Sequence, residues 1–99
     1  DDAIENILRT FVETTSNNLV IFNKIISDNN FSDAVNLCHK MYPIFVQLNQ
    51  KEAADFLHKM DKLRNSNENS FPEWKEESIR FMDSVDEFIS YLSDKYDIY

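Results

Sequence analysis

The stretch NLCHKMYPIFVQLN, residues 36–49, decides the fold of this chain. Its apolar residues, continued back to residue 34, recur at intervals of four and three, which is typical of a helix packed in a bundle. Asn49 follows where a helix end takes left-handed backbone, and asparagine is the usual substitute for glycine there. The stretch therefore predicts a helix that ends in a tight turn. The apolar positions of this helix are Ala34, Cys38, Met41, Phe45 and Leu48.

A second amphipathic helix begins directly after Asn49. Because the connection is so short, we expect the two helices to run antiparallel. The inward residues predicted for the second helix are Ala53, Phe56, Leu57, Met60 and Leu63.

The residues before position 36 carry one helical stripe and one polar connection. The run TTSN, residues 14–17, would divide the stripe into two helices if its Ser and Asn act as caps, which these residues prefer to helix interiors. SDNNF, residues 27–31, is the polar connection that leads into the central stretch. The stripe consists of Ile4, Leu8, Phe11, Leu19, Phe22 and Ile26.

The last part of the chain predicts a loop followed by one long helix. NSNENS, residues 65–70, is the loop, and Ser70 with Glu73 forms a capping box with Pro72 in the first helical turn. Trp74 is expected to pack the start of this helix against the rest of the bundle. The apolar face of the helix holds Phe81, Met82, Val85, Phe88, Ile89, Leu92 and Tyr96.

These patterns predict an all-α fold, an antiparallel up-down four-helix bundle, and leave open a short extra N-terminal helix. The 99 residues are enough for one domain, so residues 1–99 are treated as a single bundle. The chain is 42% apolar and 13% aromatic, which is ample for a folded core. We expect a monomer.

The composition excludes several classes of function. Glycine is absent, which excludes the Walker A loop and the dinucleotide-binding loop, and no cofactor is predicted. A net charge of −8 disfavours nucleic acid as a partner. Residues 39–64 hold five basic and three acidic residues, a net charge of +2. The rest of the chain holds five basic and fifteen acidic residues, a net charge of −10. The positive segment suits an acidic partner and could steer its approach.

The expected location is the cytoplasm. A single cysteine cannot form an intramolecular disulfide, so nothing points to an oxidising compartment. The longest apolar runs, such as LVIF at residues 19–22, are far too short for a membrane span, so no membrane contact is predicted for this domain. The chain opens on DDAIEN without methionine, which favours a domain taken from a longer chain and leaves open a membrane anchor elsewhere in that parent chain.

His39 lies on the shoulder of the helix predicted by the central stretch. It is about 100° around the helix from the core residue Cys38, given 3.6 residues per turn. An imidazole there is reachable from solvent within a partly apolar surface, which is typical of a docking surface. On this pattern alone, a surface histidine without a role is the simpler interpretation. Its stripe contains Val35, Tyr42 and Val46, while Lys40, Pro43 and Gln47 lie further round, toward solvent.

The same stretch resembles the histidine-containing phosphotransfer (HPt) domains of two-component phosphorelays, of the type appended to hybrid sensor histidine kinases. The family pattern has a small residue before the histidine, a leucine two residues after it, and later a polar residue and a helix-ending glycine. Cys38 matches the small residue, His39 the histidine and Met41 the leucine. Gln47 falls on the later polar position and Asn49 on the glycine turn.

Two positions depart from the family pattern: Tyr42 stands where the family has lysine, and Pro43 where it has glycine. Pro43 provides no backbone donor for the carbonyl of His39, and its ring crowds that carbonyl. We expect the compact proline to keep the surface beside His39 low, as the family's glycine does, and to alter how the imidazole is presented. Lys40 is the nearest cation in sequence, but it points about 100° away from His39.

The resemblance implies a bundle whose second helix carries the phosphoacceptor histidine. It implies that His39 accepts a phosphoryl group from the aspartate of a receiver domain and passes it to another receiver, without binding ATP. The receiver would supply the metal ion and most of the groups that stabilise charge. Supporting or receiver-docking roles then fall on Val35, Lys40, Tyr42, Pro43, Val46 and Gln47.

Two other interpretations stay open. A non-catalytic interaction module, a pseudo-HPt, would dock a receiver or another acidic partner through the same face without being phosphorylated. A free-standing enzyme is a weaker interpretation, since no nucleophile–base pair is evident.

No metal site is predicted, because Cys38 and His39 point in different directions. His58, with Asp55 and Asp61 three residues to either side, is an ordinary surface pattern.

Overall fold

The computed structural model describes residues 2–64 and 73–96. The predicted loop at residues 65–70, and the Ser70 and Pro72 positions of the predicted capping box, lie outside the described residues. Within them the chain forms helices and short turns. The helices are α1 (Asp2–Ser27), α2 (Phe31–Gln47), α3 (Lys51–Asp61) and α4 (Trp74–Tyr96).

The first helix is continuous through TTSN, so the extra N-terminal helix is not found in the described residues. Thr15, inside that run, is buried, and it continues the inward face formed by Val12 and Leu19. Packing of this face outweighs the weak helix propensity of the run. Ile4 was expected on the same inward face, but 51% of its surface is exposed.

The α1–α2 and α2–α3 turns both use asparagine in left-handed backbone, with φ 60° at Asn29 and 57° at Asn49. After each, the next residue donates its N–H to the carbonyl five residues back, at 3.1 and 3.0 Å, which closes the helix in a Schellman motif. The Asn30 side chain then caps α2 by accepting the N–H of Asp33 at 3.1 Å. The predicted turn at Asn49 is confirmed.

The four helices form an up-down bundle, as predicted. Among the described residues, close backbone contacts join α1 with α2, α2 with α3, α3 with α4, and α4 with α1, so α2 and α4 lie diagonally and meet through core side chains. Phe45 of α2 lies in the core, with ring centroids 5.4 Å from Phe11 and 5.8 Å from Phe81. Trp74 packs edge-on against Phe31 at 5.2 Å, so the role predicted for it is confirmed.

The inward seam of α2 is the one that the spacing predicts. Ala34, Cys38, Met41 and Phe45 are buried, and Leu48 is half-buried at the end of the helix. This burial fixes the rotation of α2, which sends the next residue after Cys38 toward the α3 side of the bundle. Among residues 2–64 and 73–96, no helix combines the length and apolar character needed to cross a bilayer.

Candidate functional site

The site lies along the seam between α2 and α3, where three side-chain pairs face each other in one register. In each pair the two residue numbers add up to 100, because the antiparallel helices are joined by a turn centred near residue 50. Successive pairs are three residues apart along the chain, with Arg64 in the turn just after α3, so they share one edge of the bundle. The pairs are Asn36 with Arg64, His39 with Asp61, and Tyr42 with His58.

The central pair joins the two helices by a short hydrogen bond. Nδ1 of His39 lies 2.9 Å from Oδ1 of Asp61, with 51% of the His39 side chain and 26% of the Asp61 side chain exposed. A carboxylate can only accept hydrogen bonds, so Nδ1 carries the proton and donates it. A neutral His39 held in this way has its remaining lone pair on Nε2.

The second ring nitrogen of His39 is available for chemistry. Nε2 has no hydrogen-bond partner among the described residues, and the half-exposed ring lies at the surface of the bundle. The pair therefore combines a fixed tautomer on the inner side with an accessible nucleophilic nitrogen on the outer side. This arrangement can accept an electrophilic group at Nε2.

Arg64 ties Asp61 to the first turns of α2. Its Nη1 lies 4.0 Å from Oδ1 of Asp61, and its Nε donates to Oδ1 of Asn36 at 3.2 Å. Asn36 is one turn before His39 on the same helix. The contacts through Arg64 and Asp61 therefore begin and end on α2. The guanidinium lies near the same carboxylate oxygen that accepts the hydrogen bond from His39, as a weak, partly exposed ion pair.

Tyr42 stacks on His58, one turn along the seam from His39. The two ring centroids are 5.5 Å apart and the ring planes differ by 28°. Tyr42 is half-buried, so the residue found where the family has lysine serves the α2–α3 contact. Asp61 lies three residues after His58 in sequence, but among the described residues its side-chain hydrogen bond is to His39 and not to His58.

The structure removes Val35 from the predicted docking surface. Val35 is only 2% exposed, because α1 and α3 flank α2 closely enough to cover the position one turn before His39. It supports the core and offers no contact area to a partner, so its predicted place on the exposed stripe is wrong.

Four other predicted residues are exposed, but they do not all face the same way. Pro43, Val46 and Gln47 lie in the C-terminal half of α2, with Val46 48% exposed. Val46 lines a shallow depression with Tyr42 at the α2–α3 turn. Lys40 lines a groove shared with α1, on the other flank of the helix. The structure therefore separates Lys40 from the seam that holds His39.

Cys38, next to His39 in sequence, is fully buried. Burial raises the pKa of the Cys38 thiol, and the nearby charge of Asp61 raises it further. The thiol is therefore a core group without reactivity at neutral pH. Within residues 2–64 and 73–96, no group of three or more His, Cys, Asp or Glu side chains is arranged to hold a metal ion.

The sequence interpretation missed three residues of the site: Asn36, Asp61 and Arg64. The signal was present in the turn: if antiparallel helices are joined near residue 50, a residue eleven before it faces one eleven after it. That rule places position 61 opposite His39, as observed. Read along its own helix, Asp61 is paired only with His58 three residues before it, which hides the contact with His39.

No model of a protein family, no curated protein and no solved structure matches this chain. A function for it therefore depends on the chemistry of His39 and its neighbours, together with the motif around them.

Proposed function

We propose that this chain is a phosphotransfer domain in which His39 carries a phosphoryl group between receiver domains of a phosphorelay. One observation carries the proposal: the exposed imidazole is hydrogen-bonded through Nδ1 to Asp61 and presents Nε2 without a partner among the described residues. The HPt-like residues around His39, and its position on the second helix of a four-helix bundle, support the same function.

The transfer step balances without the gain or loss of a proton. The lone pair of Nε2 forms a bond to the phosphorus of an aspartyl phosphate, and the bond from phosphorus to the receiver's carboxylate oxygen breaks. The receiver regains its carboxylate. The imidazole, still protonated at Nδ1, gains a positive charge, and the reverse step passes the group to a second receiver.

Asp61 is placed to assist this step as a positioning residue. Its carboxylate lies 2.9 Å from Nδ1, where the positive charge of the phosphorylated ring would develop. A fixed negative group facing a developing positive charge stabilises the transition state without reorganising. Arg64, whose Nη1 lies 4.0 Å from Oδ1 of Asp61, adds a weak ion pair from within the chain.

The proposed partners are receiver domains, which would supply the metal ion and most groups that neutralise the phosphoryl oxygens. The exposed C-terminal half of α2, with Pro43, Val46 and Gln47, offers a partly apolar surface beside His39. The net +2 of residues 39–64 suits the acidic site of a receiver, with Lys40 contributing from the other flank of α2. We place the relay in the cytoplasm, with this chain as a domain of a sensor kinase.

The experiment mixes the chain with candidate receivers carrying radiolabelled aspartyl phosphate. The chain offers a matched control, because its only other histidine, His58, is also exposed on the α2–α3 edge. We expect acid-labile, base-stable label on the wild type and on His58→Gln, and none on His39→Gln. Phosphoramidate, which phosphorylates histidines without a protein partner, tests the reactivity of the imidazole separately.

Label on His39→Gln, or loss of label only in His58→Gln, would assign the chemistry to another residue. Absence of label from every receiver, with docking still detected by NMR, would overturn the proposal. That result would favour the non-catalytic interaction module that docks through the same face.

A further inference from the structure

A groove between α1 and α2 lies on the flank of α2 that faces away from α3. Its volume is about 490 Å³, which is within the range of small-molecule sites. Phe11 and Met41, both buried, form its floor, and Ile7 and Ile44 form its sides. Ile7 is 54% exposed, although it belongs to a helix with a well-packed inward face. The groove therefore leaves apolar surface open to solvent.

The polar side chains of the described residues that line the groove are neutral or positively charged, and none is negative. Thr10, Thr14 and Asn18 follow one another along α1 at intervals of four residues, and each offers a neutral hydrogen-bonding group. Lys40, on α2, is the only charged side chain among the described residues that line it, and no carboxylate does so. No ion pair of Lys40 is found among the described residues. On a chain of net charge −8, this groove is a local exception.

We propose that this groove binds a small organic anion with an apolar, ring-sized body. The body would lie on Phe11 and Met41, and the anionic group would accept a hydrogen bond from the ammonium group of Lys40. The volume favours a small molecule over a macromolecular partner, and the charge of the lining favours an anion over a cation or a neutral ligand. This site does not rest on the proposed phosphotransfer, since His39 faces the opposite flank of α2.

Two matched fluorescent probes test the proposal on the intact chain. Anilinonaphthalene sulfonate has an aromatic body and one negative charge, and N-phenylnaphthylamine has nearly the same body without charge. We expect the sulfonate to bind the wild type about tenfold more tightly than the neutral probe, as a hydrogen bond to a charged group provides. In Lys40→Gln, the sulfonate should lose about that factor, and the neutral probe should change less than twofold.

Two further variants distinguish binding in the groove from nonspecific binding of the probes. Lys62→Gln removes an exposed lysine that lies outside the groove lining, and it should leave both affinities unchanged. Thr14→Phe places a large ring at an exposed position that lines the groove, so it should reduce the binding of both probes without affecting the core. Circular dichroism confirms that each variant is folded before titration.

Methyl NMR shifts locate the bound probe. Shifts concentrated on Ile7, Met41 and Ile44 would support the assignment. Shifts centred on the exposed Val20 and Ile79 of the α1–α4 face would place binding elsewhere and overturn the site. Equal affinity of the wild type for the two probes, or an equal loss of both in Lys40→Gln, would overturn the preference for an anion.

Discussion

Nδ1 of His39 and Oδ1 of Asp61 are 2.9 Å apart across the seam of two antiparallel helices, although 22 residues separate them in the chain. The distance fixes both the orientation and the tautomer of an exposed imidazole. The chemistry open to His39 depends on this pair, because the orientation of Nε2 follows from it.

Removing the carboxylate of Asp61 should remove the preference of His39 for the Nδ1–H tautomer. In Asp61→Ala, Nδ1 of His39 loses its acceptor, and we expect the nitrogen-15 spectrum of the neutral ring to change from a predominant Nδ1–H form to a mixture of the two tautomers. If the phosphotransfer proposal is right, phosphoryl acceptance should also slow by about tenfold or more, the scale seen when the supporting partner of a functional histidine is removed.

Asp55→Ala is the matched control for this change, because Asp55 is exposed on the same helix and is not bonded to His39. It should leave the histidine spectrum and the transfer rate as in the wild type. An unchanged tautomer in Asp61→Ala would show that something other than the carboxylate orients the ring.

The stack of Tyr42 on His58 should contribute to stability rather than to transfer. Tyr42→Phe keeps the ring, so its free energy of unfolding should stay within about 0.5 kcal/mol of the wild type, whereas Tyr42→Ala should lose about 2 kcal/mol. A double-mutant cycle with His58→Ala, measured by urea unfolding, should give a coupling of about 0.5–1 kcal/mol. Strictly additive losses would mean that the 5.5 Å ring contact contributes nothing of its own.

Pro43 lies within α2, where the helix continues through it from Phe31 to Gln47. Pro43→Ala should restore a backbone donor for the carbonyl of His39 at an exposed position, and we expect the free energy of unfolding to rise by about 2 kcal/mol. Denaturant unfolding measures this change, with Gln47→Ala as an exposed control on the same helix. A higher stability with an unchanged transfer rate would contradict our expectation that the proline alters how the imidazole is presented.

Because of Cys38, the free energy of unfolding should depend on pH in the alkaline range. Burial raises the pKa of its thiol in the folded state, so the folded chain holds this proton more tightly than the unfolded chain. The resulting stabilisation is fully present below the pKa of an unfolded thiol, about 8.5, and is lost as the pH rises above it, by at most about 1.4 kcal/mol per pH unit. The difference in unfolding free energy between the wild type and Cys38→Ala, measured from pH 7 to 10, should shrink accordingly.

Alkylation gives an independent measurement on the same residue. Iodoacetamide at pH 8 should modify Cys38 slowly in the folded chain and rapidly in urea, because only the unfolded chain exposes the thiol. Rapid modification without denaturant would mean that α2 opens locally far more often than a core helix should.

The helical period of the chain was sufficient to predict most of the fold. Ala34, Cys38, Met41 and Phe45 are buried as their spacing predicts, and Asn49 closes α2 in left-handed backbone. These features depend on residues within a few positions of one another, and local periodicity and turn chemistry describe such short-range effects well.

The errors arose where a helix meets its neighbours. The capping preference of TTSN predicted a break, but burial of Thr15 in the core keeps α1 continuous. Val35 shares the His39 stripe on a helical projection, yet it is buried because neighbouring helices cover that part of the surface. A projection gives the direction of a side chain, and only packing decides whether that direction is covered.

Local spacing alone was enough to predict most of the helical segments, the turn at Asn49, the core seam of α2 and the position of His39 beside that seam. Tertiary structure decided which side chains meet His39: Asp61 at one nitrogen and solvent at the other, with Lys40 on the opposite flank beside α1. The physical reason is that helix formation depends on neighbours three and four residues away, whereas the pairing of His39 with Asp61 depends on the register of two helices joined by a turn.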